Sequence, residues 1–216
     1  KVAKSGDKEA KHHHSVAEKV LAILETGAPA RSGEWSEEEW ESIRDAQLIT
    51  AKPVLYVCNI DEESVGEDNA WVTQVKTRAA SEGAGVVVIS GQVEAGLSEL
   101  AAEEAEAFLE DLGLSEPGLN RLAQATYALL GLQTYFTAGE KETRAWVIHK
   151  GDTAPVGAGV IHTDFAKKFI RAEVYQFDEL MEFRSEKAIK DAGKMRLEGK
   201  DYVLQDGDGC HFLIGN

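Results

Sequence analysis

The sequence predicts a pair of helices, then an α/β fold, then a small α+β fold. Three observations carry this reading. Two short, continuous apolar runs at 53–59 and 85–90 flank a stretch with helical spacing, the pattern of a βαβ unit in a parallel sheet. From about Leu132 the texture changes to short strands and short helical segments broken by turn residues. Before Ala51 the apolar residues recur only at helical spacing. At 216 residues the chain can bury a real core without disulfide or metal staples.

Residues 1–14 are polar and without period, and read as a loop or frayed helix. Val16, Val20, Ile23 and Leu24 then recur at helical spacing, and Gly27 stands where a C-terminal cap belongs. A second helix starts at Ser36. Ser36 and Glu39 have the spacing of a capping box, in which each side chain satisfies the other's orphan backbone N–H. Glu37, Glu38 and Glu39 sit where the helix dipole favours negative charge. Trp40, Ile43 and Leu48 form its apolar stripe, and the two helices read as an antiparallel hairpin.

The run at 53–59 reads as a strand buried on both faces. A helix follows with Trp71, Val72, Val75 and Ala79 on one face, then a second buried strand at 85–90. A helix over 97–112 ends at Gly113, and Pro117 suits the first turn of another reaching Leu130. Two strands are too few for a stable doubly wound sheet, so half of that sheet is expected to be missing. In the last part, 133–139 and 144–149 read as a hairpin, and 169–175, 200–204 and 210–214 as further strands. Asp206-Gly-Asp-Gly209 reads as a turn. Cys58, Cys210, Trp35, Trp40, Trp71 and Trp146 read as core.

The net charge of −15 argues against wholesale binding of polyanions or membrane surfaces. The charge is uneven. Residues 1–130 carry 11 basic and 24 acidic side chains, a net −13, and residues 131–216 carry 12 and 14, a net −2. Basic residues of the last part cluster at Lys167, Lys168 and Arg171, and at Lys187, Lys190, Lys194 and Arg196. They read first as solvated faces and second as an RNA contact. Two cysteines are too few for a disulfide framework and fit a reducing cytoplasm. No apolar run reaches the ~18–20 residues of a membrane span, and no leader pattern is present, so no membrane partner is expected.

Two motifs stand at consecutive strand ends. Asn59-Ile-Asp-Glu62 follows the first strand, and Ser90-Gly91-Gln92 follows the second. Ligands of open α/β sheets bind outside the carboxyl ends of the strands. An Asn amide carries the donor and acceptor that a purine edge requires, and a carboxylate three residues on can accept from an exocyclic amine. Backbone N–H groups of the second motif can close the other side of a base pocket. Read singly, each motif is a cap and turn. His12-His-His14 reads as a solvated segment, His149 and His162 as structural, and no metal site is expected.

Several blocks resemble the C-terminal part of the YchF / Obg-like ATPase family of P-loop proteins. They are Leu48–Glu62, Leu129–Gly139, Gly159–Phe165, Phe169–Val174 and Ala192–Asp208, and the likeness runs from about Val16 to the end. The resemblance implies a helical, coiled-coil-like insertion over 1–50, partial here. It implies the C-terminal part of a nucleotide-binding G domain over 51–130 and a TGS domain of β-grasp type over 131–216. It also implies ATP as the preferred nucleotide over GTP, because Asn59-x-x-Glu62 stands where GTPases carry Asn-Lys-x-Asp. By the same resemblance Asn59, Ile60, Glu62, Ser90 and Gly91 contribute the base pocket. Gln92 departs from the small residue or lysine of the family.

No Gly-x-x-x-x-Gly-Lys-[Ser/Thr] occurs in the 216 residues, so neither the phosphate cradle nor its Mg²⁺ ligand is in this chain, and no catalytic residue is assigned to it. With the non-Met start, this predicts a fragment of a cytoplasmic, ribosome-associated ATPase that is inactive alone. Its TGS and helical parts would face the ribosome or structured RNA. The competing expectation is a non-enzymatic RNA- or ribosome-binding module with a vestigial nucleotide loop. A dimeric adaptor working through the hairpin is a third.

Overall fold

A computed structural model describes residues 7–139 and 142–215. They divide between Ala125 and Thr126 into two compact units.

The first unit opens with α1 (Lys8–Glu25). Asp7 accepts from the Glu9 N–H and starts this helix. The helix therefore takes in His12, His13 and His14, which the sequence reading placed in a loop or frayed end. Lys, Glu and Ala are strong helix formers, and the cap lets them propagate the helix. Gly27, at φ +82°, lies two residues beyond the helix end. In α2 (Glu37–Asp45) the capping box of Ser36 and Glu39 forms in both directions. Val16, Val20, Ala30 and Ile43 make a small core, covered by Leu24, Trp35, Trp40, Leu48 and Ala51. A 3₁₀ turn, Ile49–Ala51, and the extended Lys52 lead out of it.

Strands β1 (Leu55–Asn59) and β2 (Gly85–Ile89) pair in parallel, with Leu55 opposite Gly85 and Asn59 opposite Ile89. They form a two-stranded sheet, with α3 (Ala70–Glu82) as the crossover. Val57 is 45% exposed and Cys58 only half-buried, so β1 is not the doubly buried strand its composition predicts. A continuous apolar run describes a strand covered on both faces, and within the described residues the face of β1 that carries Val57 is left open. Trp71, expected in the core, is 75% exposed, because Val72 and Ala79 take the buried face of α3.

The helix expected over 97–112 is two helices, α4 (Gly91–Glu99) and α5 (Ala102–Asp111). Leu100 and Ala101 are extended between them, and Glu104 accepts from the Ala101 N–H to start α5 afresh. Next comes α6 (Gly118–Leu129).

In the second unit β3 (Leu132–Ala138) and β4 (Thr143–His149) form the expected hairpin. They are followed by α7 (Ala154–Ile161), α8 (Thr163–Lys168), β5 (Phe169–Gln176), α9 (Phe177–Phe183), α10 (Glu186–Asp191), β6 (Arg196–Glu198) and β7 (Asp208–Ile214). The sheet runs β4-β3-β7-β5-β6, parallel only between β3 and β7. Tyr135, Ile148, Ala154, Ala158, Phe169, Ala172, Val174, Leu204 and Cys210 are its core.

Residues 200–204 do not form the predicted strand. Their backbone is engaged elsewhere: Ala154 N–H donates to the Tyr202 carbonyl and Leu204 N–H to that of Asp152. The Gln133 amide donates to the Leu204 carbonyl. Only Val203 forms a bridge, to Thr153, and the edge position belongs to β6. The overall architecture is mixed α/β. Among the described residues no helix is long and apolar enough to cross a membrane.

Candidate functional site

Parallel pairing puts the carboxyl ends of β1 and β2 side by side, and the Ile60 N–H extends the ladder by donating to the Ile89 carbonyl at 2.9 Å. Both candidate motifs therefore leave the sheet from adjacent points. The Asn59 side chain joins them. Its Oδ1 accepts from the Gly91 N–H at 2.9 Å, across 32 residues of sequence.

That contact alters the chemistry expected of Asn59. One lone pair of its oxygen is already engaged inside the protein, so the amide nitrogen is the less committed group to offer a ligand. Ser90 is buried and caps α4 through its hydroxyl, which accepts from the Val93 N–H at 3.5 Å. Its part is to shape the loop. Ile60 is half-buried and borders two cavities. One, of about 400 Å³, is also lined by Asn59, Asp61 and Trp71. The other, of about 380 Å³, is lined by Ser90, Val93, Glu94, Lys76 and Arg121. Glu62 opens a 3₁₀ turn, Glu62–Ser64, is half-buried, and lines neither cavity. Its carboxylate has no protein hydrogen-bond or ion-pair partner among the described residues, which leaves it available to a ligand.

Two residues to which the sequence assigned no part in a site belong to this neighbourhood. Trp71 stands at the rim beside Asn59. It lies one helical turn from Val75, so spacing alone did not separate it from the apolar stripe. Glu94 accepts from the Gly118 and Leu119 N–H groups at 2.6 and 3.2 Å, and so ties the helix after Ser90-Gly91 to the start of α6. A lone Glu gives no sign of this in sequence, because its partners lie 24 and 25 residues away.

The histidines of α1 form helix-spaced pairs, His13 with Glu9 and His14 with Glu18. Among the described residues no group of three or more His, Cys, Asp or Glu could hold a metal ion. His162 accepts from the Asp164 N–H at the start of α8, a structural role, while the His149 side chain is mostly exposed.

Comparison with known proteins gives this arrangement a context. Residues 132–215 match the family model YchF-GTPase_C, described as a protein of unknown function (DUF933). The chain is 51% identical over 212 residues to the "Ribosome-binding ATPase YchF" of Haemophilus influenzae, covering 98% of this chain and 58% of that protein. It is 39% identical to "Obg-like ATPase 1" of Rattus norvegicus, covering 97% of this chain and 54% of that one. The solved structure of the Schizosaccharomyces pombe YchF GTPase superposes with a TM-score of 0.81 at 37% identity, over 94% of this chain and 55% of that one. The chain thus spans a little over half the length of the relatives it matches. With this agreement of sequence and fold over nearly all its residues, the chain belongs to the YchF / Obg-like family and represents the C-terminal part of its members.

Proposed function

We propose that this chain supplies the base-reading side of the nucleotide site in a ribosome-associated ATPase. The observation that carries the proposal is the hydrogen bond from the Gly91 N–H to Asn59 Oδ1, which makes one platform of two strand-end loops. In this reading the Asn59 amide nitrogen donates to a purine ring nitrogen, and half-buried Ile60 packs on the base. Ser90 and Gly91 hold the opposite loop. Adenine carries an exocyclic amine where guanine carries a carbonyl, so an acceptor such as the Glu62 carboxylate favours ATP over GTP. A P-loop elsewhere in the whole protein holds the phosphates and Mg²⁺, which supply the charge neutralisation of phosphoryl transfer. The residues of this chain bind and orient the base.

Around that platform, 1–50 is read as part of a helical insertion, 51–130 as the end of the G domain, and 131–216 as a β-grasp, TGS-type domain. The ribosome or structured RNA is the partner of the helical and TGS parts, in the cytoplasm. The relatives' printed names and the nearly neutral charge of 131–216 support this. That charge distribution also favours a second reading, a ribosome- or RNA-binding module whose nucleotide loop is vestigial.

The deciding experiment uses the intact protein. Ile60→Lys with Glu62→Asp is expected to shift the ratio of ATP to GTP affinity toward GTP by about tenfold or more, since one good base contact is worth about 1–3 kcal/mol. An unchanged ratio would remove the base-reading assignment. Absence of nucleotide binding by the unmodified intact protein would favour the binding module. The 216-residue chain alone is expected to show no ATP turnover above buffer.

A further inference from the structure

The two basic clusters of the second unit are used differently by the fold. In the cluster of Lys187, Lys190, Lys194 and Arg196, two cations are spent inside the protein. Lys190 pairs with Glu173 at 3.1 Å. Arg196 pairs with the buried Asp208 at 3.2 Å and stands 3.9 Å from Glu198. Lys187 and Lys194 remain, with Asp191 between them in sequence. The cluster of Lys167, Lys168 and Arg171 has no such outlet. All three residues are exposed, and none of their side chains has a protein hydrogen-bond or ion-pair partner among the described residues. The acids nearest in sequence do not reach them. Asp164, one turn before Lys168, stands beside His162 at 3.9 Å, and Glu173 is held by Lys190.

The backbone under these three cations is fixed. Lys167 and Lys168 end α8, and β5 starts at the next residue. The Lys168 carbonyl accepts from the Gly215 N–H at 2.8 Å, which ties the end of β7 to this corner. The register of β5 against β7 slips at the same point. Phe169 stands opposite Ile214 and Arg171 opposite Leu213, which leaves Ile170 as an extra residue. Such a bulge bends a strand and re-aims its side chains. On its other side β5 meets β6 only over 172–174, so the start of β5 has no strand neighbour there.

We propose that this α8–β5 corner is the phosphate-gripping surface of the second unit, and that it holds the backbone of a folded RNA through Lys167, Lys168 and Arg171. The inference rests on the reading of the second unit as a ribosome- or RNA-facing part, and names the residues that make the contact. Cations without internal partners keep their counterions, and a nucleic-acid backbone binds by releasing them. Lys190 and Arg196 offer less, because Glu173 and Asp208 already neutralise them. Net charge places the contact in this unit as well, since residues 1–130 carry −13 and residues 131–216 only −2. Phosphate contacts fix position and orientation without reading sequence. The corner therefore suits the outer backbone of a folded RNA.

The test uses the intact protein and two probes, ribosomes and protein-free ribosomal RNA, with affinity measured across a salt series. For the unmodified protein the logarithm of affinity is expected to fall linearly with the logarithm of salt. Lys167→Ala, Lys168→Ala and Arg171→Ala should each flatten that slope by about 0.7–0.9, and the triple variant by about two to three, with both probes. Lys187→Ala combined with Lys194→Ala should leave the slope unchanged. Amide protection through β5 should persist in every variant, since none of these side chains packs in the core. A triple variant that keeps the unmodified slope would overturn this surface and leave the ribosome reading standing. Failure of the unmodified protein to bind either probe would overturn both. Ile170, 57% exposed at the bulge, separates RNA from a protein partner. If Ile170→Ser abolished ribosome binding and protein-free RNA never bound, the partner would be a protein and the RNA assignment would fall.

Discussion

Asp208 shows how a side chain that reads as a turn residue can become a keystone. It is fully buried at the start of β7. Its carboxylate accepts from Tyr202 and the Gln205 N–H at 2.8 Å, from Arg196 at 3.2 Å, and from the Gln176 amide. A buried carboxylate so fully satisfied is stable in place, but removing it leaves the Tyr202 hydroxyl, the Gln205 N–H and the Gln176 amide without their acceptor, while Arg196, 40% exposed, keeps Glu198 at 3.9 Å. Asp208→Ala is expected to destabilise the second unit by about 1–3 kcal/mol, the cost of leaving buried donors unpaired. Asp208→Asn, which keeps the shape but loses the charge, should cost less. Chemical denaturation followed by amide exchange in β5 and β7 measures both, and a loss below about 1 kcal/mol in the Ala variant would reduce the cluster to ordinary polar contacts. Asn59 teaches the complementary lesson. Its position at a strand end was legible in sequence. That its oxygen is spent on Gly91 was not, because the partner lies 32 residues away.

Helix termini were legible where a complete cap is written in adjacent residues, since caps are local. Ser36 with Glu39 is written in four consecutive residues and forms as read. The start of α6 is the exception that shows why. Its first N–H groups are satisfied by Glu94, on another helix, and no local pattern records that. Glu94→Ala is expected to fray α6, costing about 1 kcal/mol, the usual worth of a lost cap. Faster amide exchange at Leu119 and Asn120, with α3 unchanged, is the expected readout. Unaltered exchange there would mean that Pro117 and packing suffice. Strand composition was legible, but burial and pairing were not always. Val57 has the composition of a covered strand and the exposure of an uncovered one. Residues 200–204 have strand composition, yet their backbone is bonded to 152–154 and to the Gln133 side chain instead. Gly209 marks another non-local constraint: a Cβ there would lie 2.3 Å from the Tyr175 ring, so β5 and β7 meet only with glycine at that point.

Across the chain, the groups held away from their ordinary ionisation concentrate in the second unit. Burial is the leading cause of the raised pKa of Tyr202, pushed up to about 12, with its hydrogen bond to Asp208 adding to it. Burial likewise raises Tyr135, Tyr175 and the Cys210 thiol. Each is neutral when protonated, and each has a higher pKa folded than unfolded. The contribution of the tyrosines is therefore complete below their unfolded value of 10 and is lost as pH rises through the folded value, about 12 for Tyr202, and that of Cys210 begins to fall above its unfolded value of 9. On alkaline titration, amide protection in β3, β5 and β7 should fall between pH 10 and 12 before that of α1 and α2. Tyr202→Phe should weaken this pH dependence without abolishing it, since Tyr135 and Tyr175 have the same sign. Simultaneous loss in both units would contradict the assignment.

The order of residues by itself determined the local features of this protein. These are its capped helices, the βαβ pattern, the β3–β4 hairpin, the strand-end motifs and the uneven charge. All are properties of neighbours within a few residues, where spacing and backbone chemistry act directly. Long-range contact decided the rest: which face of α3 is buried and that residues 200–204 stay outside the sheet. It also assigned Asn59 Oδ1 to Gly91 and Lys190 to Glu173. Such pairings depend on which distant backbone and side-chain groups meet after burial. A polar group takes whichever partner the packed chain brings within reach, and local sequence does not encode that choice.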